Sequence, residues 1–177
     1  RAAKGATIAA GDVVEIDDAA LWAPAVNPAP CAPLEVVYED VHLAAVVKPA
    51  GVPTHPNRTG GGGTLADAVA GRWPEVLVVG LRAREPGLVH RLDTGASGLL
   101  LVARTAAAFT ALRAAFESGA VEKEYLSVVE GRPPASVAID LPLAHHPKNT
   151  RKMITVEPGR KAGRSWPAVT RCEVVRR

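Results

Sequence analysis

Proline and glycine cut this chain into short pieces, and that limits it to short secondary elements. Of 177 residues, 15 are proline and 16 are glycine. Pro24, Pro28, Pro30 and Pro33 fall within residues 22–33, which read as an extended linker because proline fixes φ and cannot donate to a ladder. Pro49–Gly63 holds three prolines and five glycines and reads as a loop. Between the breaks, Leu34–Tyr38 and Leu43–Lys48 read as strands around a Glu39-Asp40 turn, and Gly87–His90 and Gly98–Ala103 as short buried strands. Val121–Glu130, Ile154–Val156 and Ala168–Val175 read as further strands, the last two separated by the basic turn Gly159–Arg164. Two helices are predicted. Thr64 caps a short one carrying Leu65, Ala68 and Val69, and Thr105 caps Ala106–Ser118, whose stripe is Phe109, Leu112 and Phe116 and whose end is Gly119. Many short strands with few short helices predict an α+β class with a mixed, largely antiparallel sheet.

Composition narrows the function classes. Hydrophobic residues are 47% and charged residues 22%, ordinary for a globular protein. No apolar run approaches a membrane span, and residues 1–10 lack the apolar core of a signal peptide. Two cysteines, Cys31 and Cys172, give no disulfide framework or zinc site, so a cytoplasmic monomer without membrane contact is expected. Charge is uneven: three Lys/Arg against seven Asp/Glu in residues 1–50, but nine against two in residues 145–177. A basic third beside a neutral middle suits a polyanion such as RNA, or is simply a solvated basic edge. Aromatics at 4% argue against an extensive base-stacking platform.

The chemistry-bearing string is His90-Arg91-Leu92-Asp93, followed by Thr94-Gly95-Ala96-Ser97-Gly98-Leu99-Leu100-Leu101. If residues 90–93 continue a strand, Arg91 and Asp93 share one face and His90 and Leu92 the other. An arginine beside a carboxylate favours its ionised form, ready as nucleophile or base. Gly95 and Gly98 leave room for a substrate. Alone, this Asp–Arg pair reads as a structural turn salt bridge, and pairing Asp93 with Glu85 or Glu122 would suit a two-carboxylate glycosidase. His55, His145 and His146 lack metal-ligand spacing and read as surface or RNA-backbone contacts. Gly60–Gly63 lacks the Lys-Ser/Thr of a phosphate loop. Met153 reads as core packing, and Tyr125 either as a core aromatic at a sheet edge or as a cleft residue sharing a strand face with Lys123.

The string resembles the active-site signature of RluA-type RNA pseudouridine synthases, and three further blocks in the same order extend the likeness over roughly residues 35–175. They are Val46-Val47-Lys48-Pro49-Ala50-Gly51 with His55-Pro56, then Val121-Glu122-Lys123-Glu124-Tyr125 with Gly131, and finally His146-Pro147-Lys148, Arg151-Lys152-Met153 and Pro167–Thr170. Ala96 stands where the family usually has threonine. The resemblance implies an isomerase that needs no metal or cofactor and acts on RNA, ribosomal or alternatively transfer RNA. It implies Asp93 as the catalytic carboxylate and Tyr125 as a catalytic residue stacking on the target base. It implies Arg91 as the residue filling the gap of a flipped nucleotide, with His90, Lys123, Lys48, Lys148, Arg151 and Lys152 binding substrate. His90 is expected to act by positioning the loop, and Arg160, Lys161 and Arg164 are further phosphate candidates. It also implies that residues 1–18, with Gly11-Asp12-Val13-Val14-Glu15-Ile16, are the remnant of an S4-like RNA-binding domain and 19–33 the linker. Residues 34–177 would then be a catalytic domain lacking the family's C-terminal "HQIR" segment. A catalytically incomplete RNA-binding module is the alternative reading.

Overall fold

The computed structural model describes residues 7, 9–13, 25–28, 33–57, 61–157 and 163–176, and of residues 150 and 151 the backbone alone. Most of the expected S4-like remnant and linker lies outside these residues. Within them, Gly11 turns the chain at φ +99°, and the Ala9 amide donates to Asp12 Oδ2 at 2.8 Å. The chain divides into two compact units, residues 1–123 and 124–177.

The first unit is built on an antiparallel sheet of β1 (Glu35–Glu39), β2 (Leu43–Lys48) and β3 (Gly98–Ala103), in the order β1-β2-β3. β2 alternates: Ala44, Val46 and Lys48 are buried, while Leu43, Ala45 and Val47 are half-buried. The register places Ala44 opposite Val102, Val46 opposite Leu100 and Lys48 opposite Gly98. Opposed residues of an antiparallel pair share a face, so Val102 and Leu100 join the same core. Helix α1 (Leu65–Arg72) packs Leu65, Ala66, Val69 and Ala70 against it, followed by Trp73 and by Val76 of the 3-10 turn Pro74–Val78. α1 starts where it does because Thr64 and Asp67 form a reciprocal capping box, with Asp67 Oδ2 accepting from the Thr64 amide at 2.8 Å. Helix α2 (Ala106–Glu117), capped by Thr105, lays Phe109, Leu112 and Phe116 beside Val79, Val89 and Ala103.

The second unit has a two-stranded sheet, β4 (Ser136–Asp140) with β8 (Val169–Glu173). It also has a three-stranded one in the order β6-β5-β7, formed by β5 (Leu143–His146), β6 (Asn149–Thr155) and β7 (Ser165–Trp166). Every strand pair described is antiparallel, and the class is α+β as expected. No helix among the described residues is long and apolar enough to cross a membrane.

Two expected strands are absent. Residues 122–129 form no ladder, and Tyr125, Leu126, Val128 and Val129 are all exposed. Tyr125, Leu126, Val128 and Val129 are strand-favouring residue types, but no described strand pairs with them. Gly87–His90 is buried as expected, yet it is a loop with a single bridge, Leu88 to Val102. Gly87 explains this. It sits at φ +67°, donates to Val79 O at 2.7 Å and accepts from the Ala103 amide at 2.8 Å, a tight crossing rather than a strand.

A Cβ at Gly87 would lie 2.6 Å from the Ala103 carbonyl oxygen. Gly87→Ala is therefore expected to cost about 3 kcal/mol in urea denaturation, through overlap plus a left-handed backbone. Gly95→Ala, where nothing lies within 4 Å and φ is not positive, is expected to stay within about 1 kcal/mol of the parent.

Candidate active site

The phase of β2 carries Lys48 to the buried side, with no exposed surface at all. Its ammonium donates to the carbonyls of Pro49 at 2.9 Å, Val52 at 2.7 Å and Thr94 at 3.3 Å. Burial pushes the Lys48 ammonium below its ordinary range, and the negative charge of Asp93 opposes that shift. Around this point two segments far apart in sequence are laced together. The Gly51 amide donates to Thr94 O at 2.7 Å. Thr54 Oγ1 donates to Leu92 O at 2.6 Å and accepts from the Leu92 amide at 3.2 Å. The Ala96 amide donates to Asp93 O at 3.1 Å and closes the turn.

Leu92 anchors this loop in the core, and its neighbours Arg91 and Asp93 point out. The alternation expected of residues 90–93 thus holds although they form no strand. The Asp93 side chain is 91% exposed, with the Arg91 guanidinium 4.0 Å from its Oδ1. A second Arg91 nitrogen lies 3.4 Å from His55 Nε2, which is also 3.6 Å from Glu85 Oε1, and Glu85 pairs with Arg82 at 3.2 Å. His55 Nδ1 lies 3.3 Å from Pro56 O, and in the tautomer that donates there Nε2 is free to accept from Arg91. The side chains run in contact from Asp93 through Arg91, His55 and Glu85 to Arg82. A fixed, hydrated carboxylate with one guanidinium beside it is equipped for nucleophilic addition or proton abstraction on a substrate that arrives from outside.

The other predicted residues fall differently. Lys48, expected at phosphate, is buried under the loop, because strand phase placed it on the core face. His90 is half-buried: its Nε2 accepts from the Leu101 amide at 3.0 Å and its ring lies 4.6 Å from that of Phe116. It therefore props the loop against β3 and α2. Burial lowers its proton affinity first, and the positive charge of Lys123 adds to this. Lys123 is exposed. Tyr125, 63% exposed, belongs to the second unit, as do exposed Lys148 and Lys152 on the β5–β6 hairpin. The Arg151 side chain, and Arg160 and Lys161 entirely, lie outside the described residues. Met153, expected in the core, is exposed. Sequence reasoning missed Thr54 as the strut under Leu92, and the only hint was a hydroxyl in an otherwise apolar stretch before His55-Pro56. It also placed His55 at the surface, whereas its side chain is only 12% exposed between Arg91 and Glu85.

The fold is thus α+β, with Asp93 exposed on a loop tied to the buried side of the sheet. The sequence profile described as RNA pseudouridylate synthase matches residues 42–173, and the chain belongs to that family. It is 40% identical over 144 residues to the ribosomal large subunit pseudouridine synthase D of Zymomonas mobilis, covering 81% of this chain and 45% of that one. To the protein of the same name from Xanthomonas campestris it is 39% identical over 130 residues, covering 73% of this chain and 38% of the other. It spans less than half the length of these relatives. Among solved structures, human RNA pseudouridylate synthase domain containing 1 superposes with a TM-score of 0.59 at 25% identity, over 82% of this chain and 53% of that one.

Two expectations follow from the geometry. Lys48→Met leaves three carbonyls without their charged donor, and a loss of about 3 kcal/mol in thermal or urea unfolding is expected. The neutral form of His90 is favoured in the fold, so the stability it contributes is complete above its ordinary value of 6.5 and declines as pH falls below it. His90→Gln keeps an acceptor for Leu101 but does not titrate. Urea titrations between pH 7.5 and pH 5 should show the parent losing stability more steeply than the variant.

Proposed function

We propose that this chain isomerises uridine to pseudouridine in RNA, with Asp93 as the catalytic carboxylate. The observation that carries the reading is the exposed Asp93 on a loop immobilised by Lys48, Gly51 and Thr54, within a chain of this family. The reaction breaks the N1–C1′ bond, turns the uracil and forms C5–C1′. The proton lost from C5 is balanced by one gained at N1, so no other reagent is consumed. The Asp93 carboxylate adds to C1′ or to the ring and is regenerated when the new carbon–carbon bond closes. A stacked uridine must leave its helix first, at roughly a few kcal/mol. The exposed Arg91 is suited to fill the gap it leaves. Tyr125 is assigned to stack on the target base, and Lys123, Lys148, Arg151 and Lys152 to phosphates. The names of the bacterial relatives support large-subunit ribosomal RNA as the substrate, and with it a cytoplasmic site of action.

Asp93→Asn preserves the shape of the loop and removes the nucleophile. Pseudouridine formation, measured by mass spectrometry of digested RNA, should fall roughly a thousandfold or more, while RNA affinity stays within about threefold. A variant that retains activity would sink the assignment. The basic charge of residues 145–177, nine Lys/Arg against two Asp/Glu, also suits a second reading, an RNA-binding module without catalysis. A parent chain that binds RNA in a salt-dependent way yet forms no pseudouridine supports that one.

A further inference from the structure

One face of the β6-β5-β7 sheet has no part in the chemistry above. β7 sets Trp166 opposite Leu143 of β5, and β6 sets Thr155 opposite Leu143 and Met153 opposite His145. Opposed residues share a face, as do residues two apart along a strand. Trp166, Leu143, His145, Met153 and Thr155 therefore lie together. The other face holds Ala144, fully buried, opposite Ile154 and Ser165. Ala144 marks the inner side, and the tryptophan side is outer: Trp166 is 37% exposed, Met153 47%, and His145 is exposed too. The His145 ring stands perpendicular to the indole with centroids 5.5 Å apart, and the Arg164 guanidinium lies over the indole at 5.5 Å.

A solvent face normally carries polar side chains, and an indole left in water forfeits apolar contact. Charge decides what covers it. Residues 145–177 hold nine Lys/Arg against two Asp/Glu, which repels a second copy of this surface and attracts a polyanion. Indole faces and guanidinium planes are both stacking surfaces for bases, and only an unpaired base offers a free π-face to either.

We propose that Trp166, with Arg164 over it and His145 at its edge, is a stacking platform for an unpaired nucleobase of the RNA, and that Lys148 at the hairpin turn of the same sheet takes a neighbouring phosphate. The assignment rests on the RNA reading above and adds to it a binding subsite in the second unit. Neither the Asp93 loop nor the aromatic count of the chain pointed to it.

Fluorescence anisotropy with a short uridine-rich single strand and a blunt RNA duplex tests the platform. Trp166→Ala should weaken single-strand binding about tenfold, with little change for the duplex, while Trp166→Phe, which keeps a ring, stays within about threefold. The slope of log affinity against log salt should be unchanged in Trp166→Ala and shallower by about one in Lys148→Gln. The single strand should also quench indole emission in the parent but not in Trp166→Phe, a readout that does not depend on the alanine variant folding. Single-strand binding indifferent to Trp166→Ala, or quenching that persists in Trp166→Phe, overturns the platform and leaves the RNA reading standing. A Trp166-dependent dimer in sedimentation overturns it in favour of self-association. A parent chain that binds neither RNA overturns both.

Discussion

The Lys48 ammonium occupies the place on β2 where Ala44 and Val46 lead one to expect another hydrocarbon, and the candidate site is organised around it. Removing an ammonium from water costs several kcal/mol unless its donors are met. Here three carbonyls meet them, two from the loop that follows β2 and one from the loop that carries Asp93. Hydrogen bonds to a charged donor are the stronger kind, about 1.5–3 kcal/mol each. One charge thus fixes the ends of two loops separated by more than forty residues, and the position of Asp93 is inherited from the sheet rather than set by its own turn.

The surroundings of Asp93 separate support from reactivity. Beneath the loop everything is buried and apolar or internally paired: Leu92 in the core, Thr54 bonded twice to its backbone, His90 accepting from β3. Above it the groups are hydrated and charged. The carboxylate stays in water while its backbone is held as firmly as a strand. Arg91 is shared between Asp93 and His55, which holds its exposed guanidinium beside the carboxylate.

What could be read from sequence was what depends on local pattern. β2 and β3 were legible to the residue, since their apolar runs are bounded by Asp40 and Pro49 and by the Ser97-Gly98 turn and Arg104. α1 and α2 announced themselves through Thr64 and Thr105. Residues 125–129 hold strand-favouring residue types without becoming a strand, because a ladder needs a partner and composition cannot supply one. Lys48 shows two sequence signals in conflict: residue type pointed to solvent, strand phase pointed inward, and phase prevailed because three carbonyls were waiting there. Met153 shows the converse, for which face of β6 is covered follows from its register with β5 and is invisible in the order of residues. The string from His90 to Asp93 stood out in the sequence as a motif. Its dependence on Thr54 and Lys48 was not, since both contacts are tertiary.

The Thr94 carbonyl oxygen receives two donors, the Gly51 amide at 2.7 Å and the Lys48 ammonium at 3.3 Å. In a planar trans peptide the oxygen and the following amide hydrogen lie on opposite sides of the C–N bond. Drawing that oxygen inward turns the Gly95 N–H away from the buried ammonium, and the peptide plane cannot rotate without breaking both bonds at once. Two residues beyond Asp93 there is thus a backbone dipole whose direction is locked by a residue on another strand. A lysine with no contact to solvent determines which way a hydrogen-bond donor faces at the surface.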